Sequence, residues 1–416
     1  MAHVHVTEVA VLGAGLVGLA CAHHLRQRGH AVLLIDPRGA GGETSFGNAG
    51  SISVGNVMPQ STPGIVLKGL RMLADPMAPL KLDQPQRPGY WRWLWEFVRH
   101  GQAERVLPII DALHAINHAS RQAWLDWAAA VDADDLLAPS GYLQVYQLEK
   151  TFNAGAFERA QMQRLGVSFE VLDRHGVREL EPQLGAGFNF ATFQSAALAM
   201  RDPGGFCQRA ASHLATQQVP VLRLSVGAIA DAPHGYRLSA GADFIDCEKL
   251  VVCAGAWSTR LLAGFKLQVP IVPARGYHLM FNAQPAPVQR PTLWAERYMV
   301  VTPMATGVRM TSIKELTRLD SDPRYPLIHR LRPELTRLFP SIHGDPISQW
   351  AGYRPCTPDS LPIIDRLPGE DIYLAAGHGH LGLTQSAITG RLISEMLDGG
   401  TTSLDMRPYR LQRFAS

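Results

Sequence analysis

Three glycines and an acid carry the first chemical reading of this chain. The apolar run 9–12 breaks into Gly13-x-Gly15-x-x-Gly18 and then enters a helical pattern. Gly13 there permits a tight turn and Gly15 lets a pyrophosphate approach the backbone. Gly18 allows close packing of helix on strand, and the helix start offers free N–H groups to phosphate charge. A second apolar run, 31–35, ends at Asp36, eighteen residues after Gly18. A carboxylate at that place accepts from both ribose hydroxyls of an adenosine and disfavours the 2′-phosphate of NADP.

Two further places invite chemistry. A second glycine-rich turn, Gly377-His378-Gly379-His380-Leu381-Gly382, follows the apolar run 372–376 and opens an amphipathic helix through Ile388, Leu392, Ile393 and Met396. Unsatisfied donors at such a helix start stabilise negative charge. Arg354, next to Pro355 at the end of an apolar strand, presents a planar fork that grips a carboxylate bidentately, as lysine cannot. His380 belongs to a residue type whose ordinary pKa lies near working pH.

The elements that must hold these groups follow from periodicity. The first 36 residues read as strand, helix, strand, and the segment 39–55, rich in Gly, Ser and Asn, reads as a ligand-embracing loop. An aromatic block at 90–99 runs into helical periodicity through Leu113, Ile116, Trp124 and Trp127, which reads as a helical insertion near 90–130. A strand at 141–146 and a helix at 154–165 follow. A helix at 206–217 and strands at 219–224 and 249–256, the last closing on Gly255, return to the style of the first segment. Strands dominate from 271 to 313, with a polar helix around 325–339. The expected architecture is α/β. A Rossmann-like nucleotide-binding domain is assembled from 1–58, 196–262 and 346–416, and an α+β substrate-binding domain from 59–195 and 263–345.

Composition sets limits. The 416 residues are 46% hydrophobic and 18% charged, as in a globular protein of two connected domains. A net charge of +3 gives no argument for nucleic acid. Five scattered cysteines without C-x-x-C suggest neither disulfides nor zinc, and the 16 histidines form no zinc pair, so no metal is expected. The N-terminal apolar run lacks a positively charged leader, and no secretion signal is expected. The expected location is cytoplasmic. The aromatic block reads first as packed core of the helical insertion and leaves open, as the second reading, a peripheral contact with the inner face of the membrane.

With these pieces in hand, the chain resembles the FAD-dependent glycine/D-amino acid oxidase superfamily over nearly its whole length, and most closely the bacterial D-amino acid dehydrogenases. The resemblance rests on the N-terminal fingerprint, Glu43-Thr44-Ser45 with Asn48-Ala49-Gly50, Gly276-Tyr277, Gly352-Tyr353-Arg354-Pro355 with Thr357-Pro358-Asp359, and Gly377-His378-Gly379 with Leu381-Gly382. It implies FAD, with Gly13, Gly15, Leu16, Val17, Gly18, Asp36 and Pro37 on the ADP half. Glu43, Thr44, Ser45, Asn48, Ala49 and Gly50 would run beside pyrophosphate and flavin, and Val226 beside adenine, with Gly255 a further cofactor contact. Gly379, Leu381, Gly382, Leu383 and Thr384 would face the flavin N1/O2 edge.

The activity implied is hydride transfer from the substrate Cα to flavin N5, giving an imine, which makes the protein chiefly a positioning device. Arg354 is then the expected carboxylate clamp. Tyr298 falls where relatives supply a tyrosine hydroxyl, Tyr277 is a second tyrosine of this kind, and His380 departs from the small or polar residue of close relatives. Because the segment of Leu383, Gln385 and Ser386 also differs from the alanine-type dehydrogenases, the expected substrate is a small D-amino or imino acid, with D-proline or cis-4-hydroxy-D-proline preferred. Quinone or a carrier protein is favoured over oxygen as acceptor. Cys356 does not reproduce the spacing of covalent flavin attachment, so FAD is expected to be bound noncovalently. A sarcosine/glycine-type amine oxidase, a nicotinamide dehydrogenase and a non-catalytic flavin-holding subunit are the alternatives.

Overall fold

The computed structural model describes residues 3–75, 77–83, 88–265 and 267–415. Its first strand, Val4–Leu12, ends in four buried residues in succession, the mark of a strand covered on both faces. It pairs in parallel with Val32–Ile35 on one side and Asp243–Val252 on the other. Val221–Leu222 extends the sheet beyond Val32–Ile35, and Ile372–Ala376 pairs in parallel with the end of Asp243–Val252. Helices Leu16–Gln27, Pro203–Thr216 and Gly382–Leu397 pack on one face of this eight-stranded sheet, burying Val9, Leu19, Leu214 and Ile388 together. On the other face Leu12 and Val252 meet Leu238 and Ile245, with Leu262 and Phe414 closing the layer.

The helix Gly382–Leu397 departs from the amphipathic expectation, since twelve of its sixteen residues are buried. A Cβ on Gly390 would run into the backbone of Ala20, so the two helices cross at near-contact. Its remaining side is covered by the long helix Ala103–Ala130, whose Trp124 indole donates to the Leu383 carbonyl at 2.9 Å. That helix was assigned above to the substrate side, yet Leu113, Ile116, Trp124 and Trp127 are buried in the nucleotide-side core. Periodicity shows which face of a helix is apolar and not which partner covers it.

The second sheet has nine strands. Val272–Phe281 is paired antiparallel with both Gly307–Leu316 and Ser348–Cys356. The strand Ser348–Cys356 thus belongs to this sheet, although the sequence division at 346 placed it with the nucleotide-binding segments. Leu279, Trp294 and Met310 pack against Leu335 and Phe339 of the helical region expected at 325–339, which forms two short helices, Pro326–His329 and Arg332–Leu338. The helix expected at 154–165 is found as Ala156–Arg164, preceded across Gly155 by an unexpected short helix, Glu149–Ala154.

Several histidines are folded into this framework uncharged. Burial pushes His24, His278 and His378 down to about 3 and His23 down to about 4, from an ordinary value of 6.5. As pH falls below 6.5 the unfolded chain takes up protons that the native one refuses, so stability is full above that value and declines below it. Each group contributes up to about 1.4 kcal/mol per pH unit. Urea midpoints should therefore fall steadily from pH 7 to pH 5, and a flat profile would show that these imidazoles are already protonated in the native protein.

Candidate active site

A continuous cavity of about 1820 Å³ runs from Gly13 and Asp36 at the edge of the parallel sheet to Arg354 and His380 beneath the second sheet. At the first end, Gly13 has φ 105°, and a Cβ there would lie 2.6 Å from the Cys253 carbonyl oxygen. Gly18 would drive its Cβ into the Gly13 carbonyl, so it tightens the turn without lining the cavity. The helix cap is Gly15, and the Leu16 N–H donates to Ser45 Oγ at 3.0 Å. Asp36 is oriented by the Ala14 and Arg38 N–H groups, at 2.9 and 2.8 Å, with its carboxylate at the cavity wall. Leu16, Val17, Pro37, Val226 and Gly255 line the same end.

The loop after the second strand carries the cavity inward. Glu43 pairs with Arg38 at 2.7 Å, burial pushing its carboxyl up and Arg38 opposing the shift. Thr44 Oγ1 donates to the Tyr353 carbonyl at 2.8 Å, and Asn48 Oδ1 accepts from the Gly50 N–H at 3.0 Å. Ser45, Asn48 and Ala49 line the cavity, whereas Gly50, at φ 73°, turns the chain against Met200. The sequence reading overlooked what fixes this loop. Buried Arg309 donates to the carbonyls of Phe46 and Asn48, at 3.1 and 2.5 Å. Burial lowers its pKa only to about 10, so it stays charged at neutral pH.

Gly379, Leu381, Gly382, Leu383 and Thr384 line the cavity at the start of helix Gly382–Leu397. Gln385 and Ser386 turn away from it. Gln385 donates to Asn117 at 2.9 Å and Ser386 to the Leu383 carbonyl at 3.0 Å, so neither can read a substrate side chain. Cys356 is buried and is not among the lining residues.

Arg354 lies in the cavity wall with Nη1 donating to the Ile313 carbonyl at 3.0 Å. Its guanidinium crosses Gly276, where any Cβ would collide with it. Among the described residues no carboxylate pairs with Arg354, and burial lowers its pKa. A desolvated cation without a partner is costly, and an anionic ligand relieves that cost.

Tyr298 occupies a turn and not the expected strand, with φ 46° and 44% exposure into the cavity, and the Lys68 ammonium sits 5.4 Å from its ring. Tyr277 differs from the expectation. Its hydroxyl donates to Glu315 and accepts from the Arg324 N–H at 3.0 Å, so it braces a buried ion-pair network. His380 requires a correction as well. Its ring is exposed only to the cavity it lines, and desolvation there, with the neighbouring cations Lys314 and Arg354, pushes it down to about 3, far from working pH. Its Nδ1 faces the Gln60 amide nitrogen at 2.6 Å, and Lys314 donates to the Gln60 carbonyl oxygen. Lys314 and Gln60 line the cavity and had no signal beyond their strand and loop positions.

The glycine cradle, the oriented acid and a channel long enough for a dinucleotide fit FAD. Residues 8–396 match the family described as FAD dependent oxidoreductase. The chain is 31% identical to a D-amino-acid oxidase of Bradyrhizobium diazoefficiens, over 98% of this chain and 99% of that protein. It is 30% identical to a D-amino acid dehydrogenase of Granulibacter bethesdensis, over 98% and 100%. In fold it resembles glycine oxidase from Geobacillus kaustophilus, with a TM-score of 0.80 at 19% identity over 98% and 99% of the two chains. The chain belongs to the FAD dependent oxidoreductase family. It is an FAD-dependent amino acid oxidoreductase with the mixed α/β fold of that family.

Two outcomes follow from this geometry. Arg354→Ala should retain FAD with an unchanged spectrum while kcat/KM falls about 10²–10³-fold, and Arg354→Lys should recover only part of the loss. His380→Asn should change KM but leave the pH profile of flavin reduction between pH 6 and 9 where it stands, because a group titrating near 3 contributes nothing there. A moved profile would assign His380 a proton-transfer role.

Proposed function

We propose that this protein oxidises small D-amino or imino acids, the substrate carboxylate resting on Arg354. The observation that carries the reading is a desolvated guanidinium in the cavity wall, held by a backbone carbonyl and offered no carboxylate by the described residues. The D configuration is supported by relatives named D-amino-acid oxidase and D-amino acid dehydrogenase that align over essentially the whole chain.

Bound FAD supplies the hydride acceptor. The residues supply position: Arg354 fixes the carboxylate, Tyr298 offers a hydroxyl from the same wall, and the amine lone pair forms the C=N bond as the Cα–H is lost. Water then converts the imine of a primary amine to the keto acid and ammonia. His380, neutral throughout the working range, is a hydrogen-bonding wall and not a base. We favour a cyclic secondary amine, D-proline or cis-4-hydroxy-D-proline, because Gln60 and His380 place polar atoms on the cavity wall near Arg354, where a ring hydroxyl finds partners. We favour quinone or a carrier protein over oxygen as the acceptor.

An anaerobic panel in which bleaching of the bound flavin is scored for D-, L- and N-substituted amino acids tests this reading. D-proline and its cis-4-hydroxy derivative should reduce the flavin fastest, with L-enantiomers at least about 100-fold slower. A leading response to N-methylglycine or glycine would move the chain to a glycine-type activity, and bleaching by no amine would favour an electron-transfer subunit.

A further inference from the structure

Seventeen large apolar side chains are exposed among the described residues, and nine of them fall between positions 66 and 107. They sit mainly on two helices. Helix Ile65–Ala74 has no buried residue at all; Leu67, 55% exposed, and Arg71 lie outside the cavity wall, and Leu70, 61% exposed, stands at its rim. Helix Pro88–His100 is apolar on two sides. Inward, Trp93 is buried and donates to the Cys356 carbonyl at 3.0 Å. Outward, Trp91, Trp95 and Val98 recur at i, i+4 and i+7 and are 57%, 58% and 37% exposed. That spacing makes a single stripe along a helix, and its two tryptophans lie outside the cavity wall.

The charge on this face is as uneven as its polarity. The two helices carry Lys68, Arg71, Arg92 and Arg99 against one acid, Glu96, an excess of three that equals the net charge of the entire chain. That acid is buried and paired with Arg99, whose guanidinium also lies 5.2 Å from the Trp95 ring. The same two helices border the cavity, and Leu70 and Leu73 of the first and Leu94 and Val98 of the second line its wall. Among the described residues no helix is long and apolar enough to cross a membrane.

We infer that this face rests on an anionic lipid bilayer, the tryptophans and leucines entering the headgroup boundary while Arg71 and Arg92 meet lipid phosphates, with the cavity mouth turned toward the membrane. Tryptophan and arginine at one level, beside aliphatic residues on amphipathic helices, are the composition of an interfacial surface and not of a spanning one. A second copy of the chain fits less well, since a two-fold contact would set this basic face against itself.

Flotation of the FAD-loaded full chain with phosphatidylcholine vesicles, with and without roughly one third phosphatidylglycerol, tests the inference independently of catalysis. Binding should be at least about 10-fold tighter to the anionic vesicles, weaken as salt rises, and shift the tryptophan emission to shorter wavelength. Trp91→Ser with Trp95→Ser, and separately Leu67→Ser with Arg71→Ser, should each lose about 10-fold or more in vesicle binding while keeping the rate of flavin reduction. Absence of binding, equal binding to neutral vesicles, unchanged binding by both variants, or a stable dimer that these variants dissolve would each overturn it.

Discussion

The strand that carries Arg354 belongs to one sheet and is hydrogen-bonded to the cofactor segments of the other. The carbonyl before the arginine, on Tyr353, accepts from Thr44 of the loop beyond the second parallel strand. The carbonyl after it, on Pro355, accepts from the Gly379 N–H at 2.8 Å, at the turn that opens the C-terminal helix. A clamp fastened on both flanks to the segments around the cofactor cannot shift relative to them without breaking one of these bonds. For the proposed hydride transfer, which is steep in distance and angle, this fastening would keep Arg354 in register with the cofactor segments.

Backbone conformation and buried charge hold the clamp still. Ile313 adopts φ 66°, unfavourable for a β-branched residue, and its carbonyl is the one that accepts from Arg354. Two residues further along the same strand, Glu315 is fully buried between Arg275 and Arg324 and takes the Tyr277 hydroxyl. Removing one member of such a network strands a buried charge, at a cost of about 3–5 kcal/mol. Arg309 performs a related service for the loop at 46–48, pairing a buried cation with backbone carbonyls.

Much of this was legible in the chain because the determinants are local. Gly13, Gly15 and Gly18 act within one turn, and Asp36 closes the strand after it, so spacing alone conveys their geometry. Arg354 stood out because an arginine beside proline at a strand end has few structural uses. What stayed hidden depends on distant partners. Tyr277 is occupied by Glu315, 38 positions away, and Arg309 and Lys314 occupy strand positions whose surroundings exist only after folding. The position of Ser348–Cys356 followed the same rule, since its pairing with Val272–Phe281 spans a long stretch of chain. For His380, residue type suggested titration near neutrality, and desolvation in the cavity, with two cations beside it, decided otherwise.

The central claim is that a fixed guanidinium holds the substrate carboxylate against the flavin. Its most direct test is a titration of the oxidised holoenzyme with pyrrole-2-carboxylate, a flat carboxylate with no hydride to give, followed through the visible flavin bands. Saturable perturbation in the wild type, lost in Arg354→Ala while the FAD content stays the same, is the predicted result. Equal perturbation of both proteins would contradict the account, because the carboxylate would then be held elsewhere.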